Sequence, residues 1–190
     1  MKQVVIISGS PRRHGKTAQT IKFLEEKLLA QGNKVDNISL MDYNIKHCIG
    51  CFGCMRNNEK VPACVQKDDV NALFERMIMA DVIVYTSPIY SFDFCSLFKT
   101  FFDRQFSITQ NYGTPNASSC LEGKDVLLLV ACAGKAEENA MIAYEVFDRG
   151  MKIAMKANIV GKYVLENDEA PDFIMRAKAI ANQMAESIAS

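Results

Sequence analysis

Residues 6–20 read IISGSPRRHGKTAQT, the seam between a short apolar run and an amphipathic one. Upstream, Gln3 to Ser8 is β-rich and nearly all apolar; downstream, Ile21, Leu24 and Leu28 recur at helical spacing. The stretch is therefore a strand–loop–helix passage, and its loop ends in Gly15-Lys16-Thr17, the tripeptide that closes a nucleotide-binding P-loop. That motif needs four residues between its glycines so that backbone amides wrap the phosphates, and five stand between Gly9 and Gly15. A P-loop enzyme also places an aspartate at the carboxyl end of a neighbouring apolar strand. Here the run Val82 to Thr86 ends in Ser87-Pro88, with Asp81 at its other end. The dinucleotide fingerprint G-x-G-x-x-G fails as well, because Ser10 and Pro11 follow Gly9. What survives is a loop rich in hydroxyls and cations, leading into a helix whose first N–H groups are free to meet an anion. Ser10 and Thr17 supply hydroxyls, Arg12 a bidentate guanidinium, Lys16 a point charge and His14 a further contact. Such a loop suits a single terminal phosphate.

Working outward, five β-rich runs alternate with helical spacing: Gln3 to Ser8, Lys34 to Leu40, Asp81 to Ser87, Asp125 to Ala131 and Asn158 to Val164. Most are continuously apolar, as strands covered on both faces must be. Val70, Leu73, Phe74, Met77 and Ile78 mark one intervening helix, with Asp68 or Asp69 placed to cap it. Leu97, Phe98, Phe101 and Phe102 mark another, and Phe173 to Ile188 a C-terminal one with Pro171 near its first turn. This alternation predicts an α/β fold, a doubly wound sheet of five parallel strands in the order 2-1-3-4-5 with helices on both faces. A chain of 190 residues that is 49% hydrophobic suits one such domain.

In that order the first and third strands lie side by side at the switch point, so the loops that follow them border one crevice. The third strand runs into Pro88-Ile89-Tyr90-Ser91, where a restrained backbone and an aromatic ring can lie against a flat heterocycle. The two loops together suggest a ligand with a phosphate at one end and a planar ring at the other. Lysine plus arginine (22) balances aspartate plus glutamate (22), so no net field draws the chain to nucleic acid or an anionic membrane, and a small ligand is expected. The N-terminus shows no signal-peptide pattern and no apolar run is long enough to span a bilayer, which predicts a cytoplasmic protein.

These residues carry a resemblance. G-S-P-R-x-x-G-x-T (Gly9 to Thr17), C-x-G-C-x-x-C (Cys48 to Cys54), C-V-x-x-D-D (Cys64 to Asp69), A-D-V-I-V-x-x-S-P-I-Y (Ala80 to Tyr90) and L-F-K-T-F-F-D-R (Leu97 to Arg104) are similar to the flavodoxin-like NAD(P)H-dependent FMN reductase family, in the branch that includes the iron-sulfur flavoproteins. The resemblance implies FMN bound without covalent attachment, with Ser10, Arg12, Lys16, Thr17 and Ala18 around its phosphate. It places Pro88, Ile89, Tyr90 and Ser91 beside the isoalloxazine, and the loop Cys132-Ala133-Gly134 on the far side. NAD(P)H as co-substrate and a homodimer or homotetramer follow from the same resemblance. So does an electron acceptor drawn from flavins, quinones, nitroaromatics or proteins. No catalytic side chain is expected, because the cofactor carries the reaction and the protein positions it.

One segment breaks the alternation. Asp42 to Asp69 joins the second strand to the second helix and holds Cys48, Cys51, Cys54 and Cys64, four of the seven cysteines. Three thiolates at C-x2-C-x2-C spacing can wrap one face of a 4Fe–4S cubane, and Cys64, after nine intervening residues, can close it. Zinc suits the pattern less, since its ligands usually come in two separated pairs. The same residues also suit tight packing or a reversible thiol pair, with Gly50 and Gly53 letting the loop fold closely. Against the reductase stands a non-enzymatic flavin or iron-sulfur electron carrier or redox sensor. Electron-carrying flavodoxins are strongly acidic, and a net charge of zero argues against that role.

Overall fold

Alternation of side chains along five parallel strands divides the apolar residues of this chain between two faces of one sheet. The structure, a computed structural model, describes residues 1–56, 60–166 and 172–189. Its main elements follow in the order β1 (Gln3–Ser8), α1 (Lys16–Ala30), β2 (Lys34–Ser39), α2 (Val70–Met79), β3 (Val82–Tyr90), α3 (Ser96–Asp103), β4 (Asp125–Cys132), α4 (Met141–Arg149), β5 (Asn158–Glu166) and α5 (Phe173–Ala189). The strands pair in parallel in the order β2-β1-β3-β4-β5, as the sequence predicts. Pro171, expected near the start of the last helix, lies outside the described residues.

Val5, Ile7, Ile83, Tyr85, Leu128 and Val130 face one way and bury Phe74 of α2, Phe98 and Phe101 of α3 and Phe147 of α4. Val4, Ile6, Val82, Val84, Leu127 and Leu129 face the other and meet Ile21, Leu24 and Leu28 of α1 and Met184 and Ile188 of α5. Each fully buried Leu, Ile or Phe contributes about 1.5–3 kcal/mol, so both faces are needed to hold the sheet. Strand β3 runs three residues past its predicted end at Ser87. A two-residue strand, Asp93–Phe94, turns back and pairs antiparallel with Ile89 and Tyr90. That pairing is tertiary and leaves no mark on the local pattern.

The cysteine insertion is fastened at both feet. Asp69 takes the N-cap position of α2, yet its carboxylate does not cap the helix: it accepts from the Asn44 N–H at 2.7 Å. Asp68 accepts from the N–H groups of Lys46 at 2.9 Å and Val70 at 3.3 Å. Its main partner is remote. Arg104, just past α3, donates to Asp68 Oδ2 at 2.8 Å and Oδ1 at 3.1 Å, with the two side chains 1% and 0% exposed. The same guanidinium donates to the Lys46 carbonyl at 2.6 Å and to Cys64 Sγ at 3.0 Å. One cation thus ties the ascending and descending limbs of the insertion to the end of α3.

Burial opposes ionisation of Asp68, but the hydrogen bonds from Arg104, Lys46 and Val70 outweigh it and hold the carboxyl below its ordinary value of 3.8. A depressed carboxyl pKa means that the unfolded chain binds more protons in acid, so stability rises with pH. The Asp68 contribution is therefore complete above about pH 4 and is lost as pH falls through the lower folded value. Asp68→Asn leaves a buried, unbalanced guanidinium, and urea denaturation at pH 7 should show a loss of about 3 kcal/mol. The variant should also show a flatter decline between pH 4 and pH 2 than the parent; equal midpoints at pH 7 would remove Arg104–Asp68 as the anchor.

Candidate functional site

The site begins where β1 and β3 end. Their ladder carries one bond past β1, from the Gly9 N–H to the Thr86 carbonyl at 2.8 Å, so the two following loops leave the sheet together. Gly9 is glycine for a steric reason: a Cβ there would lie 2.5 Å from Phe98 Cβ. The chain then turns over Ser10, whose hydroxyl lies 3.3 Å from both the N–H and the carbonyl of Arg12, and the Gly15 N–H closes onto the Arg12 carbonyl at 3.1 Å. Helix α1 starts at Lys16 with no side-chain cap on Gly15 and no acidic residue in its first turn. Its N–H groups and the positive end of its dipole remain available to an anion.

A cleft of about 440 Å³ opens over this helix end. Ser10, Arg12, Lys16 and Thr17 line one side, Pro88, Ile89 and Tyr90 another, and Ala131, Cys132 and Ala133 a third. Seven of the nine expected cofactor contacts thus meet in one place. Ala18 instead lines a second cleft, of about 380 Å³, between α1 and β2, and Ser91 lies on the turn beyond Tyr90. The first cleft is the one that collects the first residues of α1, while Ser10 and Arg12 border both. In the second, Arg13 is already paired with Asp42, and Lys22 and Glu25 bring opposite charges. His14 and Gln19 join the lining, as does Ala131. Gln19 lies one turn from Lys16 on α1, and Ala131 stands opposite Pro88 in the β3–β4 register; neither is a residue type that draws notice in a sequence.

The residues fit FMN. Arg12 makes no ion pair among the described residues, Thr17 and Ser10 are buried hydroxyls at the loop, and α1 presents its uncapped end. Lys16 contributes less directly, since its ammonium lies over the Phe173 ring at 5.3 Å. Tyr90, 46% exposed, offers an aromatic surface beside Pro88 and Ile89.

The rim of the cleft is strained. Ser91 and Phe92 form the two-residue turn between Tyr90 and Asp93, with φ of 50° and 68°. Hairpin turns with both central residues at positive φ favour Asn-Gly, and a phenylalanine there carries a steric penalty. Phe92 is also 56% exposed, so its ring gains only part of the burial that would offset that strain.

The cysteine loop lies apart from the cleft lining. Cys48 and Cys51 are exposed, Cys54 and Cys64 half-buried. The four thiols are near enough to influence one another: burial first, then the negative field of Cys64 with smaller effects of Cys48 and Cys51, pushes the Cys54 thiol up. They do not form a ligand shell. Among the described residues no group of three or more His, Cys, Asp or Glu side chains could hold a metal ion, and Cys64 Sγ is taken by Arg104. The donor set has the chemistry of an iron-sulfur site without its arrangement. Cys95 and Cys132 are buried, and Cys120 is half-buried.

The doubly wound sheet in the order β2-β1-β3-β4-β5, with the cleft over the end of α1, is a flavodoxin-like fold. The chain belongs to the NADPH-dependent FMN reductase family, which matches it over residues 1–170. It is similar to an iron-sulfur flavoprotein of Archaeoglobus fulgidus, 28% identical over 192 aligned residues that cover 100% of this chain and 81% of the relative. An iron-sulfur flavoprotein of Clostridioides difficile is 31% identical over 104 residues, 53% of this chain and 44% of the relative. Among solved structures, an NAD(P)H:quinone oxidoreductase from Methanothermobacter marburgensis superposes with a TM-score of 0.70 at 15% identity, covering 96% of this chain and 98% of that one. An FMN-dependent NADH-azoreductase from Bacillus anthracis, in complex with FMN, gives 0.70 at 11% identity over the full length of both chains. At such identities these two likenesses concern the fold. No helix among the described residues is long and apolar enough to cross a membrane.

Relieving the strained rim should separate stability from function. Phe92→Gly is expected to stabilise the flavin-free protein by about 1 kcal/mol in urea, the penalty of a left-handed non-glycine residue. A destabilised variant would show that Phe92 packs against something essential to the fold.

Proposed function

We propose that this protein is a reductase that takes hydride from NAD(P)H and passes electrons to a flavin, quinone, nitroaromatic or protein acceptor. One observation carries the reading: the uncapped end of α1, with Ser10, Arg12 and Thr17, faces Pro88, Ile89 and Tyr90 across a single cleft. FMN, when bound, supplies the hydride acceptor and the electron donor of both half-reactions. The chain's own residues supply position. Arg12 and the first amides of α1 hold the phosphate, Ser10 and Thr17 donate hydroxyl hydrogen bonds to it, and Pro88 to Tyr90 support the ring. No side chain in the cleft is needed as an acid, base or nucleophile. The quinone and azo substrates in the names of structural neighbours support planar, conjugated acceptors as the substrate class.

The active form in this reading is a homodimer or homotetramer in the cytoplasm, with a second copy walling the flavin. Tyr90 and Phe92 at the rim, and the exposed Phe106–Tyr112 pair with ring centroids 4.8 Å apart, support such a contact. A second reading adds a 4Fe–4S cluster on Cys48, Cys51, Cys54 and Cys64, and the names of the curated relatives favour it. The thiols as arranged do not fit a cubane, so no electron step is routed through one.

Anaerobically purified protein tests both readings in one sample. Expected are a flavin absorption spectrum, its bleaching by NADH or NADPH within the instrument's mixing time, and a return of colour on adding a quinone. Arg12→Ala should weaken FMN binding tenfold or more, the loss of roughly 1.5–3 kcal/mol for a charged hydrogen bond. No bleaching by either nicotinamide would reject the reductase in favour of an electron carrier. About four irons and four acid-labile sulfides per chain would establish the cluster and require the cysteine loop to close around it.

A further inference from the structure

We propose that Cys95 is a positioning residue that locks the phosphate loop to the ring loop, through a junction with Gly9 and Ser87. The inference rests on the FMN reading above and extends it to how the two halves of the cleft act as one body.

Cys95 occupies the N-cap of α3, with φ −61° and ψ 152°, a place where Ser, Thr, Asp or Asn would stabilise the helix. Its side chain makes no capping bond. Instead the thiol, 2% exposed, points away from the helix and donates to the Gly9 carbonyl at 2.9 Å, across 86 residues of sequence. The backbone of the same residue holds the other loop. Its N–H lies 3.2 Å from both Ser87 Oγ and the Pro88 carbonyl, while the Ser87 hydroxyl donates to the Pro88 carbonyl at 2.8 Å. Every proton of the junction is thereby used. The thiol proton goes to the residue before Ser10, and the amide proton to the residues that open the ring-binding segment. Residue 9 must also be glycine to lie this close to α3, because of Phe98. A helix has given up its cap, and the loop its Cβ, at the point where the two loops meet.

The physical consequence is pre-organisation. A ligand that binds through two loops must order each of them unless they are already joined. With the Cys95 thiol in place, the Gly9–Ser10 peptide and Pro88 are fixed relative to one another before FMN arrives. Contacts at the phosphate then reinforce contacts at the ring.

The test uses the full-length protein and FMN titrations followed by flavin fluorescence. Cys95→Ala should bind FMN about tenfold more weakly than the parent, and Cys95→Ser, which restores a donor, should recover to within threefold. Ser87→Ala, which removes one of the two acceptors of the Cys95 N–H, should weaken FMN in the same direction and serves if Cys95→Ala does not fold. Cys120→Ala, which trims a half-buried cysteine outside the cleft, should leave FMN affinity unchanged. The decisive readout is coupling: Arg12→Ala and Tyr90→Ala should be non-additive in the parent and additive in the Cys95→Ala background. If the parent binds FMN and Cys95→Ala binds it equally well, or if Cys95→Ser is as weak as Cys95→Ala, the junction is overturned while the FMN reading stands. If the parent binds no FMN, the reading itself falls and takes the junction with it.

Discussion

Everything in the site depends on the parallel pairing of β1 with β3. Ser8 stands opposite Thr86 in the ladder, and the Gly9 N–H adds one more bond to the Thr86 carbonyl. That register decides that a loop able to hold a phosphate and a loop able to hold a ring leave the sheet at the same level. It also requires a right-handed crossover long enough to accommodate α2 and the cysteine insertion before the chain returns as β3. Had β1 paired with β4 instead, the same loops would stand a strand's width further apart, beyond the reach of one Cys95 thiol.

The strands and their order were legible because buried parallel strands are continuously apolar, and one connection pattern dominates among sheets with helices between strands. The near-miss to a P-loop was legible by counting residues, and it pointed to a single phosphate rather than a triphosphate. Tertiary demands erased other signals. The last residues of β3 depend on pairing with Asp93–Phe94, and nothing around Pro88 announces that pairing. Asp68 and Asp69 look like helix caps from their place before Val70; Asp68 does accept from the Val70 N–H, but its main partner is a guanidinium 36 residues away, and the Asn44 amide takes Asp69. Ala131 and Gln19 reach the cleft through strand register and helix rotation, which no residue type encodes. The cysteine spacing suits a metal shell, tight packing or a thiol pair alike, and among the described residues the four thiols stand without a shell, with Arg104 on Cys64.

The two faces of the sheet have different duties. The face covered by α1 and α5 positions the cleft's helix end, since α1 both packs on Ile6 and Val84 and presents its uncapped end to the cleft. The opposite face, with its cluster of Phe94, Phe98, Phe101, Phe102 and Phe147 around Tyr85, supplies rigidity beneath the ring loop. Cys95 stands at the boundary, on a helix of the second face with its thiol reaching to the loop of the first.

The fastening of the insertion at Asp68, Asp69 and Arg104 has a consequence for its tip. When both feet of a loop are anchored, lengthening the span between them changes only the entropy of closure, by about 0.6 kcal/mol for each doubling. That latitude does not cover the whole span from Cys54 to Cys64, because Ala63 is buried and its N–H donates to the Ser107 carbonyl at 2.8 Å. Arg104 and Ser107 thus hold the insertion to the turn after α3 at three of its residues, Lys46, Ala63 and Cys64, so the segment and that turn form one packed unit.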